Sequence, residues 1–274
     1  MGGRWTDDDD THERHTDTGA DDGRATRKKE FKNAAGMLRH RLHPERAGGG
    51  RACPGAAPAL LLLLHGTGDT EDGLLPLATL APEGTVVASL RAPLLAPYGG
   101  YRWFEGYSSA PEPRALESSI AAATDMLFDF IEAAPEALGT DPARVYLLGW
   151  SQGATIAWSA LLSKWPRPSF IAGALALSGR LMPELLQPST PLGQRAAPRE
   201  QLRGVPVLAT HGGQDMVTPV SYGQANARLF ADWQRGGEGK GEGSLSFHEL
   251  PHDGHQFSRK CQELAHDFLS QHLA

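Results

Sequence analysis

The stretch VYLLGWSQGATIAWSALLSK (residues 145–164) changes its periodicity in the middle. Val145 to Leu148 is a short unbroken apolar run, which suits a strand covered on both faces. Ala154 to Lys164 carries Ile156, Ala160 and Leu161 at helical spacing, and Trp165-Pro166 ends it. Between the two lies Gly149-Trp150-Ser151-Gln152-Gly153, a G-x-S-x-G pattern. Flanked by a strand and a helix, this pattern reads as a nucleophile elbow. The sharp turn strains the serine backbone, and side chains two positions away on either side would collide with the helix and the strand. The helix start adds free N–H groups and the positive end of its dipole beside the serine oxygen. Ser151 is the expected nucleophile. The plain alternative is an ordinary βα turn with a serine N-cap.

Strands and helices alternate on both sides of this stretch. Leu60–Leu64 is a continuous aliphatic strand, and Thr85–Leu90 a β-branched one. Leu116–Ala134 has helical periodicity, with Pro135 expected to limit it. Ile171–Leu177, Val205–Thr210 and Leu245–Leu250 read as further strands, and Ala225–Gln234 and Arg259–Leu273 as helices. Such alternation implies a mostly parallel sheet with right-handed crossovers and helices on both faces, hence the α/β class. The polar, proline-rich stretch Gly179–Arg203 reads as a loop that could lie over the site.

Composition narrows the function classes. The chain has 274 residues, 40% hydrophobic and 21% charged, ordinary globular values. Its net charge of −6 excludes a generic nucleic-acid binder. Two cysteines, Cys53 and Cys261, exclude a disulfide scaffold and make no metal-ligand spacing, so a reducing, cytoplasmic setting is expected. The longest apolar run, Ala59–Leu64, is far short of the roughly 20 residues of a membrane span. The first thirty residues, with Asp7 to Asp10 and no apolar core, are unlike a secretory signal.

Residues 1–57 differ from the rest. They hold 11 Lys/Arg and 10 Asp/Glu, but few large core formers, Phe31, Leu38 and Leu42 among them. So few side chains cannot offset an ordering entropy of roughly 1–2 kcal/mol per residue, so a disordered charged tail is expected there, with a catalytic domain over 58–274. Phe31, Ala34, Ala35, Leu38 and Leu42 also follow helical spacing among basic residues, which would suit a short amphipathic helix on an anionic surface or partner.

A serine hydroxyl needs a base within hydrogen-bond reach and an acid to orient that base, and behind an elbow the acid precedes the histidine along the chain. Two loops qualify. His211-Gly212-Gly213-Gln214-Asp215 follows one strand, and His252-Asp253-Gly254-His255 follows the next, so both leave the carboxyl edge of the sheet. Asp215 is the expected acid. His255 is the expected base, since Gly254 lets its loop turn back toward the sheet, and His252 is its rival. His211 reads as structural, His248 as half-exposed, and His266 and His272 as solvated. Two backbone donors must face the developing oxyanion: Gln152 N–H from the elbow, and Thr67 N–H from the glycine-rich loop His65–Asp69. Tyr98, Tyr101, Trp103, Phe104 and Tyr107 crowd one stretch; Trp103 and Phe104 would line an acyl groove or anchor the core beneath it.

Taken together, LLLLHGTGD from Leu61, RAP at 91–93, GYRWF at 100–104, GWSQG at 149–153, HGGQDMVTP at 211–219 and DGH at 253–255 resemble the phospholipase/carboxylesterase family, over about residues 58–274. Acyl-protein thioesterases and small bacterial carboxylesterases belong to that group. The resemblance implies an α/β-hydrolase fold and a Ser151–His255–Asp215 triad with backbone donors at Thr67 and Gln152. It implies hydrolysis of a small or lipid-like acyl ester, or a thioester, by a monomer or homodimer with no cofactor and no metal. A peptidase, a lactonase or a non-catalytic binding module on the same fold are the rival readings. The chain departs from the family in one place: Arg51–Pro58 lacks a strand pattern where relatives have a short strand pair.

Overall fold

The computed structural model describes residues 38–43, 57–106, 113–165, 171–190, 192–235 and 245–273. The sheet grows outward from Leu60–Leu64 (β2), five leucines all without exposed surface. Alternation divides them: Leu60, Leu62 and Leu64 face one apolar cluster, Leu61 and Leu63 the other. Burying each leucine contributes about 1.5–3 kcal/mol, so this strand ties both layers to the sheet.

On one side β2 pairs in parallel with Val86–Leu90 (β3), and on the other with Val145–Trp150 (β6). Ile171–Leu177 (β7), Val207–Gly212 (β8) and Leu245–Leu250 (β9) follow in parallel to the far edge. Leu94–Leu95 (β4) and Tyr101–Arg102 (β5) form a separate small hairpin after β3. Pro113–Leu138 (α1), Gln152–Leu162 (α2) and Val220–Arg235 (α3) cover one face through Ile120, Ile156, Trp158 and Phe230. Arg259–Leu273 (α4) and the short 3₁₀ turn Leu75–Leu80 cover the other through Cys261, Ala265, Leu269 and Ala78. The expected helix-covered, mostly parallel sheet is therefore observed.

Three expectations are corrected. First, the core begins earlier than residue 58. His40–Leu42 (β1) is an antiparallel edge strand on β3. Leu38 is buried, His40 stacks edge-on against Phe130 at 5.0 Å, and Leu42 packs on the same cluster. A strand laid on an existing sheet needs no core of its own. The rest of the expected basic helix, and most of the expected tail, lie outside the described residues. Second, Pro135 does not end α1, which runs to Leu138. One turn of helix follows it: Pro135 O accepts from Gly139 N at 2.9 Å, with Gly139 at φ +69° closing the turn. Third, much of Gly179–Arg203 is packed into the fold. Leu181, Met182, Leu192 and Leu202 are buried, and Ala197 N donates to Leu162 O at 2.7 Å. That contact is at the C-terminal end of α2, the end opposite Ser151.

Candidate active site

Ser151 sits where β6 stops and α2 starts, with φ 54° and ψ −116°. A non-glycine residue holds such a conformation only where the surroundings impose it. Here Ser151 N donates to Leu177 O at 3.0 Å, and Ser151 O accepts from Ala154 N at 3.0 Å. The neighbouring glycines fit by absence of side chain. A Cβ on Gly153 would overlap Leu64 O and stand 2.8 Å from His65 O; one on Gly149 would stand 2.7 Å from Ala154 Cα. The elbow thus presses α2 against the end of β2.

The two loops from β8 and β9 come together because those strands pair up to their last residues, Gly212 with Leu250. Asp215 has no exposed side-chain surface. Its Oδ1 accepts from Val217 N at 2.9 Å and Thr218 N at 2.7 Å, which leaves Oδ2 to His255 Nδ1 at 2.7 Å. His255 Nε2 lies 3.0 Å from Ser151 Oγ. With Nδ1–H held by the carboxylate, Nε2 is the free lone pair facing the hydroxyl. Three residues from the ends of β6, β8 and β9, 104 positions apart at the extremes, form one hydrogen-bonded line. That line is able to pass a proton from an alcohol to an imidazole and steady the resulting cation.

The other histidines fall elsewhere. His252 is exposed at the start of the same loop. His211 is buried, with Nε2 2.7 Å from Thr218 O and 3.6 Å from Asp215 Oδ2; it holds the turn that carries Asp215. His248 bonds Ser246 Oγ on β9, while His266 and His272 are on α4. Cys261 is buried below the site, 3.4 Å from Thr210 Oγ1, and burial pushes its thiol up to about 11, so it is no nucleophile at neutral pH.

The loop after β2 is fixed by His65. Its Nε2 accepts from Ala92 N at 3.1 Å, so Nδ1 carries the proton and donates to Gly66 O at 2.7 Å. Burial holds this imidazole below the ordinary histidine pKa, in keeping with a neutral ring. Gly68 N donates to Tyr101 O and Tyr101 N to Asp69 O, both at 2.8 Å, which ties the loop to β5. Among the described residues neither Thr67 N–H nor Gln152 N–H donates to a protein acceptor.

Trp103 and Phe104 do not line a groove. Both side chains have no exposed surface and belong to the core, so of the two readings offered by the sequence the anchoring one stands. Two features of the site went unread in the sequence. Trp150 tilts against His255 with ring centroids 5.1 Å apart and meets Phe257 at 5.6 Å; the aromatic residue inside G-x-S-x-G was the available sign. The carboxamide of Gln152 bonds the backbone of 103–104, which no spacing rule foretells. Among the described residues no group of three or more His, Cys, Asp or Glu is disposed to hold a metal ion, and no helix is long and apolar enough to cross a membrane.

The sheet order and the elbow define an α/β hydrolase. A family model described as phospholipase/carboxylesterase matches residues 53–273. The chain belongs to that family and is a hydrolase of the esterase type. It is 29% identical over 195 residues to acyl-protein thioesterase 1 of Kluyveromyces lactis, covering 66% of this chain and 80% of that protein. Its fold is similar to the crystal structure of esterase PE8, with a TM-score of 0.69 and 24% identity over 86% of this chain and 100% of the other. It is likewise similar to the Bacillus cereus carboxylesterase, with a TM-score of 0.66 and 22% identity over 86% of this chain and 95% of that one.

Proposed function

We propose that this chain hydrolyses carboxylic esters through a covalent acyl-enzyme on Ser151, with His255 as general base and acid and Asp215 as its orienting carboxylate. The observation that carries this reading is the continuous line from Ser151 Oγ to His255 at 3.0 Å and from His255 to Asp215 at 2.7 Å. His255 Nε2 takes the hydroxyl proton as Oγ attacks the acyl carbonyl. The tetrahedral oxyanion is held by the N–H groups of Thr67 and Gln152, the second reinforced by the start of α2. The imidazolium then protonates the leaving alcohol, and water repeats the sequence to release the acid. These steps require no metal and no organic cofactor.

A thioester is the second reading, favoured by the thioesterase name of the Kluyveromyces lactis relative. The chemistry at Ser151 would be the same, since only the leaving group differs. Matched oxygen and sulfur esters of one acyl chain, assayed side by side, separate the two. For the mechanism, Ser151→Ala should lower turnover of p-nitrophenyl butyrate by about 10⁶, the scale of losing a triad nucleophile. It should also abolish labelling by a fluorophosphonate. Hydrolysis by that variant at near wild-type rate would remove Ser151 from the reaction.

A further inference from the structure

We propose that the side chain of Gln152 is a positioning residue: acting through Trp103, it sets the spacing between the two backbone donors that receive the oxyanion. The proposal rests on the acyl-transfer reading above and adds to it a part for a side chain that meets neither substrate nor serine.

The donors belong to different pieces of the fold. Gln152 N–H opens α2, and Thr67 N–H is in the loop after β2. Nothing in the β2–β6 pairing fixes their separation, because both lie beyond the last paired residues, Leu64 and Gly149. Trp103 joins the two pieces. On the elbow side, Gln152 Oε1 accepts from Trp103 N at 2.9 Å, and Gln152 Nε2 donates to Phe104 O at 3.2 Å. The carboxamide thus brackets the Trp103–Phe104 dipeptide with its acceptor and its donor. On the loop side, the indole Nε1 of Trp103 donates to His65 O at 2.8 Å, two residues before Thr67. His65 is in turn fixed through both ring nitrogens, to Ala92 N and Gly66 O.

The groups in this path are buried: Trp103, Phe104 and His65 have no exposed surface, and Gln152 is 6% exposed. Unmade hydrogen bonds there are costly, so the geometry has few alternatives. The path therefore runs from the N–H of Gln152, through its own side chain, across an indole, to the peptide that precedes the second donor. The full burial of two large aromatics next to the site, otherwise only core filling, gains a purpose in this arrangement. Spacing of this kind matters in the transition state, where charge develops on the oxygen, more than in the bound ester.

The test uses the full chain and p-nitrophenyl butyrate. Gln152→Ala removes the bracket, and Trp103→Phe removes the indole N–H while keeping an aromatic ring. Each should lower kcat by about 10- to 100-fold, as displacements near 1 Å do, with KM little changed. The double variant should be no slower than the slower single, because both changes cut one path. Independently of turnover, amide exchange at Trp103 should quicken in Gln152→Ala while amides of β6 keep their protection. Should Gln152→Ala not fold, Gln152→Glu serves: it keeps an acceptor for Trp103 N, sets an anion against Phe104 O and should also lose at least about 10-fold in kcat. Wild-type kcat in the folded single variants would overturn the proposal, as would fully multiplying losses in the double. An inert wild type with an unlabelled Ser151 would instead bring down the hydrolytic reading itself, and this proposal with it.

Discussion

Replacing Gly153 by alanine separates activity from stability. The added Cβ would overlap Leu64 O and lie 2.5 Å from Leu64 C, whereas ordinary contacts begin at 3.4 Å. The atoms in the way are backbone of a fully buried strand, so α2 has to retreat from β2 by about 1 Å. Overpacking of this size costs about 1–3 kcal/mol. Alanine also favours a helix over glycine by about 0.8–1.0 kcal/mol, which offsets part of that cost. The net is a loss of about 0–2 kcal/mol, or at most about 8 °C in Tm for a domain of this size. Catalysis has no such compensation. The retreat moves Ser151 and Gln152 N–H away from the Thr67 loop, and about 1 Å of misplacement lowers kcat by about 10²-fold. Paired thermal melts and steady-state rates on p-nitrophenyl butyrate read both quantities. A Gly153→Ala variant with wild-type kcat and wild-type Tm would show that the elbow does not need α2 seated against β2.

Two further outcomes follow from the same structure. His255→Ala should lower kcat by several orders of magnitude while His252→Ala leaves it nearly intact; the reverse ranking would move the base to the start of the loop. Burial lowers the pKa of His65 and of His40 below 6.5 in the folded chain, so below that pH the unfolded chain binds protons that the folded one refuses. The stability they confer is complete above about pH 6.5 and declines as pH falls toward their folded values. His65→Asn, which keeps a donor for Gly66 O but does not titrate, should flatten part of the fall in Tm between about pH 7 and about pH 5. Parallel Tm profiles for the two proteins would refute that assignment.

The central strands were legible because their residues answer to one demand. Leu60–Leu64, buried on both faces, can be little else than strand, and the elbow motif announced its own turn. Ser151, Asp215 and His255 were legible because each follows a strand at the same edge of a parallel sheet. Limits of the reading have physical causes. Leu38 and Leu42 stand four apart, a spacing that satisfies a helical stripe and a strand face alike. The residue that decides between them is His40, whose ring lies on Phe130. An imidazole reads as polar in a sequence, so the alternation was hidden. Pro135 reads in the sequence as a breaker, although one turn of helix follows it. The burial of Trp103 depends on acceptors from His65 and Gln152, 38 and 49 residues away, which no local pattern reveals.

The loop of His255 is carried by β9, which among the described residues pairs only with β8 and has no fully buried residue among its six. Its opposite in the sheet is β2, where every residue is sealed. Strands at a margin with partial cover fray at lower free energy than those inside. Gentle warming or dilute denaturant should therefore silence the enzyme while its circular dichroism is still that of the intact protein, because the imidazole departs with the margin before the leucine centre yields.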